Sequence, residues 1–409
     1  MFLVAYPGLY HVLTNSAVAA EATMFLPRVE TMVAVFYFGL FAASFDFISG
    51  YTGYLSFGHA VFYGAGAYLV VLAANGKLAV TVPFTGIRLL AYDTQFMVLV
   101  VLAGLLALVL AVLIGLVSFR LTGVYFAMIT LGFAQVVYVF VRDWSFVSES
   151  PADGAAVVGP EGATPPAFDV GVPFVDSLNL AIGQLAGESV EGLFGTLSFS
   201  TAEVSYYMIG LVVLVSYLLM QRVIHSPFGR VMIAIRENEE RARAVGYDTF
   251  RYKLAAFAVS GFFAGVAGAL FAGFRRSVAP DNSLYFLVSG DALLASIIGG
   301  FGTLAGPIFG RLFDESVREF LSKEGSGGGL LPFLREQLSQ SALTTELFNG
   351  LTVQEAIETF LNGHASLYLG LLFVLFVLFV PNGLLGTLRD RLGGTVAKQV
   401  SERLARLRR

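Results

Sequence analysis

Two carboxylates, Asp46 and Asp291, stand inside long apolar runs. A charge in such a place is costly and kept for function, in carriers usually for proton or sodium coupling. Asp46 lies four residues before Gly50, close enough to the end of its run to reach water. The four histidines (His11, His59, His225, His364) are too scattered for a zinc cage or an HExxH helix, and the chain has no cysteine for a thiolate site. A phosphate-cradling P-loop needs a Gly-rich turn ending in Lys and Ser or Thr, and none of Lys77, Lys253, Lys323 or Lys398 has that setting. Gly300-Phe301-Gly302-Thr303-Leu304-Ala305 mimics a dinucleotide fingerprint but lies between two helical runs instead of between strand and helix. Without a nucleophile, base and orienting group, no catalytic constellation assembles.

The elements that must hold these residues follow from composition. Of 409 residues, 56% are apolar and 13% charged, about half the charge of an ordinary soluble domain, and the mean hydropathy is +0.75. The expected class is therefore an all-α polytopic membrane protein. A net charge of −4 argues against a nucleic-acid partner. Runs long enough for a bilayer core of about 30 Å lie near 29–48, 55–73, 96–118, 124–141, 204–221, 254–274, 284–300 and 303–321, with another at 365–380. The expected total is about 8–10 transmembrane helices. Those at 55–73 and 284–300 are open to being broken or re-entrant, because glycine interrupts or precedes them. Residues 1–28 form an N-terminal apolar segment lacking the basic start of a signal peptide.

Loop charge sets the orientation. Residues 143–203 carry nine acids and no base, which places that loop outside; residues 222–253 carry seven bases against four acids, and the tail 389–409 seven against two, which places both in the cytoplasm. The same alternation makes 322–364 an external insertion and 365–388 the last transmembrane helix. At about 60 residues, 143–203 is long enough to be a functional cap.

Two constellations remain. Glycines crowd Gly50-Tyr51-Thr52-Gly53-Tyr54-Leu55-Ser56-Phe57-Gly58-His59-Ala60. They either let helices approach closely or unwind a helix so that its free N–H groups and Ser56 face a polar solute. The second runs from Ser226 to Gly246, where Val231, Ile235, Ala242 and Val245 recur at near-helical spacing and Gly246 is a plausible stop. It predicts a short amphipathic helix outside the membrane, with Glu237–Arg241 and Glu239–Arg243 pairs, able to dock in a partner's groove.

These residues resemble a family. Glu240-Arg241-Ala242 followed by Gly246 is similar to the EAA-type coupling loop of ABC importer permeases, in the version found in branched-chain amino-acid permeases of the LivM type. The Gly50–Tyr68 stretch resembles their GYxGxxSxGHAxFxxxGAY signature, and Arg120-Leu121-Thr122-Gly123-Val124-Tyr125-Phe126-Ala127 with Thr130-Leu131-Gly132-Phe133 resembles their RLxGxYxAxxTLGF segment. Gly299–Pro307 and Pro381-Asn382-Gly383-Leu384 continue the match in order.

The resemblance implies a permease core over 29–321 and a membrane-embedded subunit of an ATP-driven ABC importer in the cell membrane, its C-terminus cytoplasmic. It implies three kinds of partner: a second permease subunit, two cytoplasmic ATPases that bind ATP and Mg, and an external solute-binding protein. Arg236, Glu240, Ala242 and Gly246 would couple to the ATPases, and Gly50, Gly53, Ser56, Gly58 and His59 would lie along the translocation path. The chain itself would be no enzyme and hold no cofactor or metal. It departs from the family at Asp46, where Asn is usual, at Asp291, where Glu or an apolar residue is usual, and in residues 322–364. Urea, amides or another small organic solute therefore stay open as alternatives to a branched-chain amino acid, as does an ion-coupled carrier using Asp46 and Asp291.

Overall fold

The computed structural model describes residues 5–10, 26–78, 80–81, 88–89, 96–157, 190–192, 195–197, 201–322, 345–348, 351–353, 365–380 and 383–387. Residues 11–25, most of the expected external loop and insertion, and the whole basic tail lie outside them. Helices Val29–Thr52 (α1), His59–Ala74 (α2), Phe96–Ser118 (α3), Val124–Arg142 (α4) and Thr201–Ile224 (α5) come first. Pro227–Glu237 (α6) and Glu239–Ala244 (α7) follow as a short pair, then Thr249–Arg275 (α8), Pro280–Ser283 (α9), Phe286–Gly299 (α10), Gly306–Ser322 (α11) and Ala365–Phe379 (α12). Strands among the described residues are short two-stranded pairs. Ala155–Ala156 (β1) and Ser277–Val278 (β2) run antiparallel, Ala155 opposite Val278, and tie the start of the long loop after α4 to the end of α8.

A helix that is apolar on every side belongs in the middle of a bundle, and α1 and α8 are such helices. Buried residues make up 94% of the apolar window of α1 and 78% of that of α8, against 39%, 28% and 28% for α3, α4 and α5. The outer three turn Val101, Leu105, Leu113, Val136, Leu211 and Leu218 outward, the face a surrounding lipid phase requires.

Glycine lets the central helices touch. A Cβ on Gly268 would meet the Tyr63 carbonyl of α2, one on Gly66 the Gly265 carbonyl of α8, and one on Gly310 the Ala295 carbonyl of α10. Close backbone approach through small residues is how helices associate where burial supplies little drive.

Among the described residues, six stretches are long and apolar enough to cross a membrane: Val29–Thr52, Phe96–Ser118, Val124–Arg142, Ser205–Ile224, Thr249–Arg275 and Pro280–Gly299. The chain is thus a multi-pass membrane protein. Helix α2 has 16 residues, about 24 Å at 1.5 Å per residue, so the broken span anticipated at 55–73 starts only at His59. The run at 303–321 becomes α11, which is amphipathic rather than apolar: Arg311 pairs with Asp314 and Glu315, and Arg318 with Asp314, along one face. The last run becomes α12, 15 residues long.

Candidate functional site

The segment Ser226–Gly246 folds as two helices in place of the single one its periodicity predicts. Asn238 takes an extended backbone, and its side-chain oxygen accepts from the Arg241 N–H at 2.8 Å, ending α6 and capping α7. That break separates Glu237 from Arg241. Glu237 pairs with Arg236 at 3.1 Å instead, while the expected Glu239–Arg243 pair forms at 3.3 Å. Val231, Ile235 and Ala242 are buried together against Tyr252, but Val245 is 74% exposed. Gly246 stops α7 with φ +99: its N–H donates to the Arg243 carbonyl and that of Tyr247 to the Ala242 carbonyl, a Schellman closure that satisfies the helix's last acceptors.

Two polar anchors fasten this helix pair to the bundle. The first centres on Glu239. Its Oε1 accepts from Lys253 Nζ at 2.7 Å and Thr249 Oγ1 at 2.9 Å, both on α8, and its Oε2 from the Tyr54 hydroxyl at 2.6 Å, between α1 and α2. Lys253 Nζ also donates to the Tyr54 oxygen at 3.0 Å and sits 4.6 Å from the centre of its ring. Burial pushes the Glu239 carboxyl up, but the bonds from Lys253, Tyr54 and Thr249 outweigh it and hold the group below its usual range. Burial and the Glu239 carboxylate push the Tyr54 hydroxyl up, so it stays a donor.

Arg236 is the second anchor. Its Nη1 donates to the Gly50 carbonyl at 2.7 Å, in the last turn of α1, where the C-terminal carbonyls lack helical partners and favour a cation. Gly53 then ends α1 in a left-handed conformation, φ +79, its open side against the Arg236 side chain. One turn earlier Asp46 Oδ1 accepts from the Gly302 N–H at 2.9 Å, joining α1 to the turn between α10 and α11. A Cβ on Gly50 would come within 2.6 Å of Asp46 Oδ1 and 2.8 Å of Gly302 Cα. Arg236, α1 and the α10–α11 turn thus meet at one point.

Of the other residues marked from sequence, Glu240 and Gly246 are exposed, and Ala242 faces inward. Ser56 is buried, and Gly58 packs on the Thr130 backbone of α4. His59 is wholly buried, with Nε2 at 3.3 Å from Ser44 Oγ and 3.2 Å from Ser260 Oγ, among Phe41, Phe45, Phe62 and Phe257. The Ala60 N–H donates to Ser289 Oγ at 2.8 Å, fixing the start of α2 to α10. Asp291, in the first half of α10, is not brought near Asp46; it faces a separate cavity with Arg311. Among the described residues no cluster of three His, Asp or Glu could hold a metal. Sequence reasoning read Glu239 only as the partner of Arg243 and missed the cluster it forms with Lys253, Tyr54 and Thr249. The available signal was Lys253 itself, a lysine at the mouth of an apolar run in a chain with four.

Comparison with known proteins agrees with this architecture. The family model described as branched-chain amino acid transport system / permease component matches residues 28–321. The high-affinity branched-chain amino acid transport system permease protein LivM of Escherichia coli (strain K12) is 28% identical over 315 residues, covering 71% of this chain and 67% of the relative. A probable branched-chain amino acid transport permease protein LivH of Methanocaldococcus jannaschii is 30% identical over 148 residues, 36% of this chain and 44% of its own. The xylose transport system permease protein XylH of Escherichia coli (strain K12) is 33% identical over 103 residues, 24% and 26% of the two chains. No solved structure matches. With the family model spanning the whole bundle from α1 to α11, the chain belongs to the permease component family of branched-chain amino acid transport systems.

Proposed function

We propose that this chain is the membrane-spanning subunit of an ATP-driven importer for branched-chain amino acids. It works beside a second permease subunit, two cytoplasmic ATPases that bind ATP and Mg, and an external solute-binding protein. Residues 29–321 form its core, with loop 222–253 and the C-terminus in the cytoplasm and 143–203 outside. The observation that carries this reading is the α6–α7 pair. It is fastened by Arg236 to α1 and by Glu239 to α8 and Tyr54, while Glu240, Arg241, Val245, Gly246 and Tyr247 stay exposed. A push on that exposed face is transmitted through short, charge-assisted bonds into α1, α8 and the link between α1 and α2. The ATPases would thereby bias the permease pair between outward and inward states.

The translocation path is assigned to the corner of α1 and α2 at Gly50, Gly53, Ser56, Gly58 and His59. In this conformation Gly50, Ser56, Gly58 and His59 are buried and Gly53 is exposed, so passage requires α2 to part from α4 and α10. The reading is tested by ATP-dependent uptake of labelled leucine in cells with and without this gene, competed by isoleucine, urea and ribose. Deletion is expected to remove leucine uptake, with isoleucine competing. Charge reversal at Glu240, or a bulky residue at Gly246, is expected to stop uptake while the chain still inserts. Unchanged uptake in those variants would refute the coupling assignment.

A further inference from the structure

At the end of the bundle away from the α6–α7 pair lies a cavity of about 520 Å³, within the ~300–1,000 Å³ typical of small-molecule sites. Helices α1, α2, α8, α9, α10 and α11 all contribute walls to it. Most of the charges lining it have protein partners. Arg311 pairs with Asp314 at 2.6 Å and with Glu315, and its guanidinium carbon lies 4.0 Å from the centre of the Phe38 ring. Asp281 accepts from the Tyr138 hydroxyl at 2.6 Å. Arg275 lies beside the Tyr37 hydroxyl but is exposed, and a guanidinium has five N–H donors, so most of its capacity is open to a ligand.

Asp291 differs from all of these. It lines the cavity, yet among the described residues it makes neither a hydrogen bond nor an ion pair. Asp291 is half-buried, so its carboxylate keeps access to the cavity, and a charge in an apolar span with no protein donor is open to a ligand. Its open acceptors call for a cationic donor from the cavity, while Arg275 calls for an anion, and the buried side chains of Phe271 and Val288 add apolar lining. Among the described residues no metal-holding cluster includes it.

We propose that this cavity is a binding site for a zwitterionic α-amino acid with an apolar side chain, its ammonium on Asp291 and its carboxylate on Arg275. The inference rests on the proposed import of branched-chain amino acids and adds a solute site within this chain. A neutral sugar or an amide would leave both side chains without a charged counterpart.

The test is equilibrium binding of tritiated L-leucine to the purified full chain in detergent, competed with leucinamide, which lacks the carboxylate, and 4-methylpentanoate, which lacks the ammonium. Each analogue is expected to compete about tenfold or more weakly than leucine, the worth of one charge-assisted hydrogen bond. Asp291→Asn is expected to weaken leucine by about the same factor without changing 4-methylpentanoate, and Asp291→Glu to recover part of the loss. Arg275→Gln is expected to weaken leucine and 4-methylpentanoate but not leucinamide. Absence of saturable leucine binding to the wild type overturns the proposal, as does wild-type binding in both Asp291→Asn and Arg275→Gln. Failure here with gene-dependent leucine uptake intact removes the cavity alone; leucine binding without such uptake removes the import reading alone.

Discussion

Lys253 is 3% exposed and its partner Glu239 20%, so this pair lies between a surface ion pair and a fully buried one. Removing one partner strands the other. Because Glu239 retains some water, we expect Glu239→Ala to cost on the order of 2 kcal/mol, below the ~3–5 kcal/mol of a fully buried pair. The double variant Glu239→Ala, Lys253→Met should recover part of that loss, which thermal unfolding in detergent would detect as non-additivity. Full additivity of the two single losses would show that the two side chains do not interact. The pH dependence has a definite sign. The Glu239 carboxyl is depressed in the folded chain, so its contribution is complete above the ordinary carboxylate range and is lost as pH falls through the lowered value. Glu239→Gln should therefore lose stability at neutral pH and show a flatter decline in acid than the wild type, as unfolding midpoints across pH would report. An unchanged acid decline would place the titrating group elsewhere.

Among the helices, the crossings of α8 with α2 and α3 depend on glycines. Gly268 has no room for a methyl group against the Tyr63 carbonyl, whereas Gly290 has nothing within 4 Å of its would-be Cβ. Gly268→Ala should destabilise by about 1–3 kcal/mol, the cost of overpacking. Gly290→Ala should be neutral or stabilising by up to about 1 kcal/mol, because a helical glycine gives up more conformational entropy than alanine. Equal effects from the two would contradict the packing. Most of these helices were legible as runs of apolar residues, because a bilayer fixes their length and character. Helix α11 was legible as a run, and the spacing of Arg311, Asp314 and Glu315 is a local signal for their pairing; only the packing shows that Arg311 turns inward onto the Phe38 ring of α1. The loop helix was legible from its spacing and from Gly246. Its division at Asn238 was not, since asparagine is tolerated inside helices and becomes a cap only when its side chain finds the Arg241 N–H. Neither the Glu239–Lys253–Tyr54 cluster nor the cavity at Asp291 has a local signature, because each joins residues far apart in the chain.

For the molecule as a whole, the bundle has a polar fastening at one end, where α6 and α7 meet α1 and α8, and a charged cavity at the other. If the loop is driven from the cytoplasm, motion enters at Glu239 and Arg236 and is carried by α1 and α8, whose buried lengths leave them little freedom except to move as rigid bodies against α3, α4 and α5. The most direct test of this account uses the fact that the chain has no cysteine, so a single introduced thiol is unambiguous. Glu240→Cys, in the intact importer in membrane vesicles, should form a cross-link to an ATPase subunit whose yield changes when nucleotide is added, whereas Ser148→Cys in the loop after α4 should form none. Equal cross-linking from both positions, or none from Glu240→Cys in vesicles that still import leucine, would contradict the account.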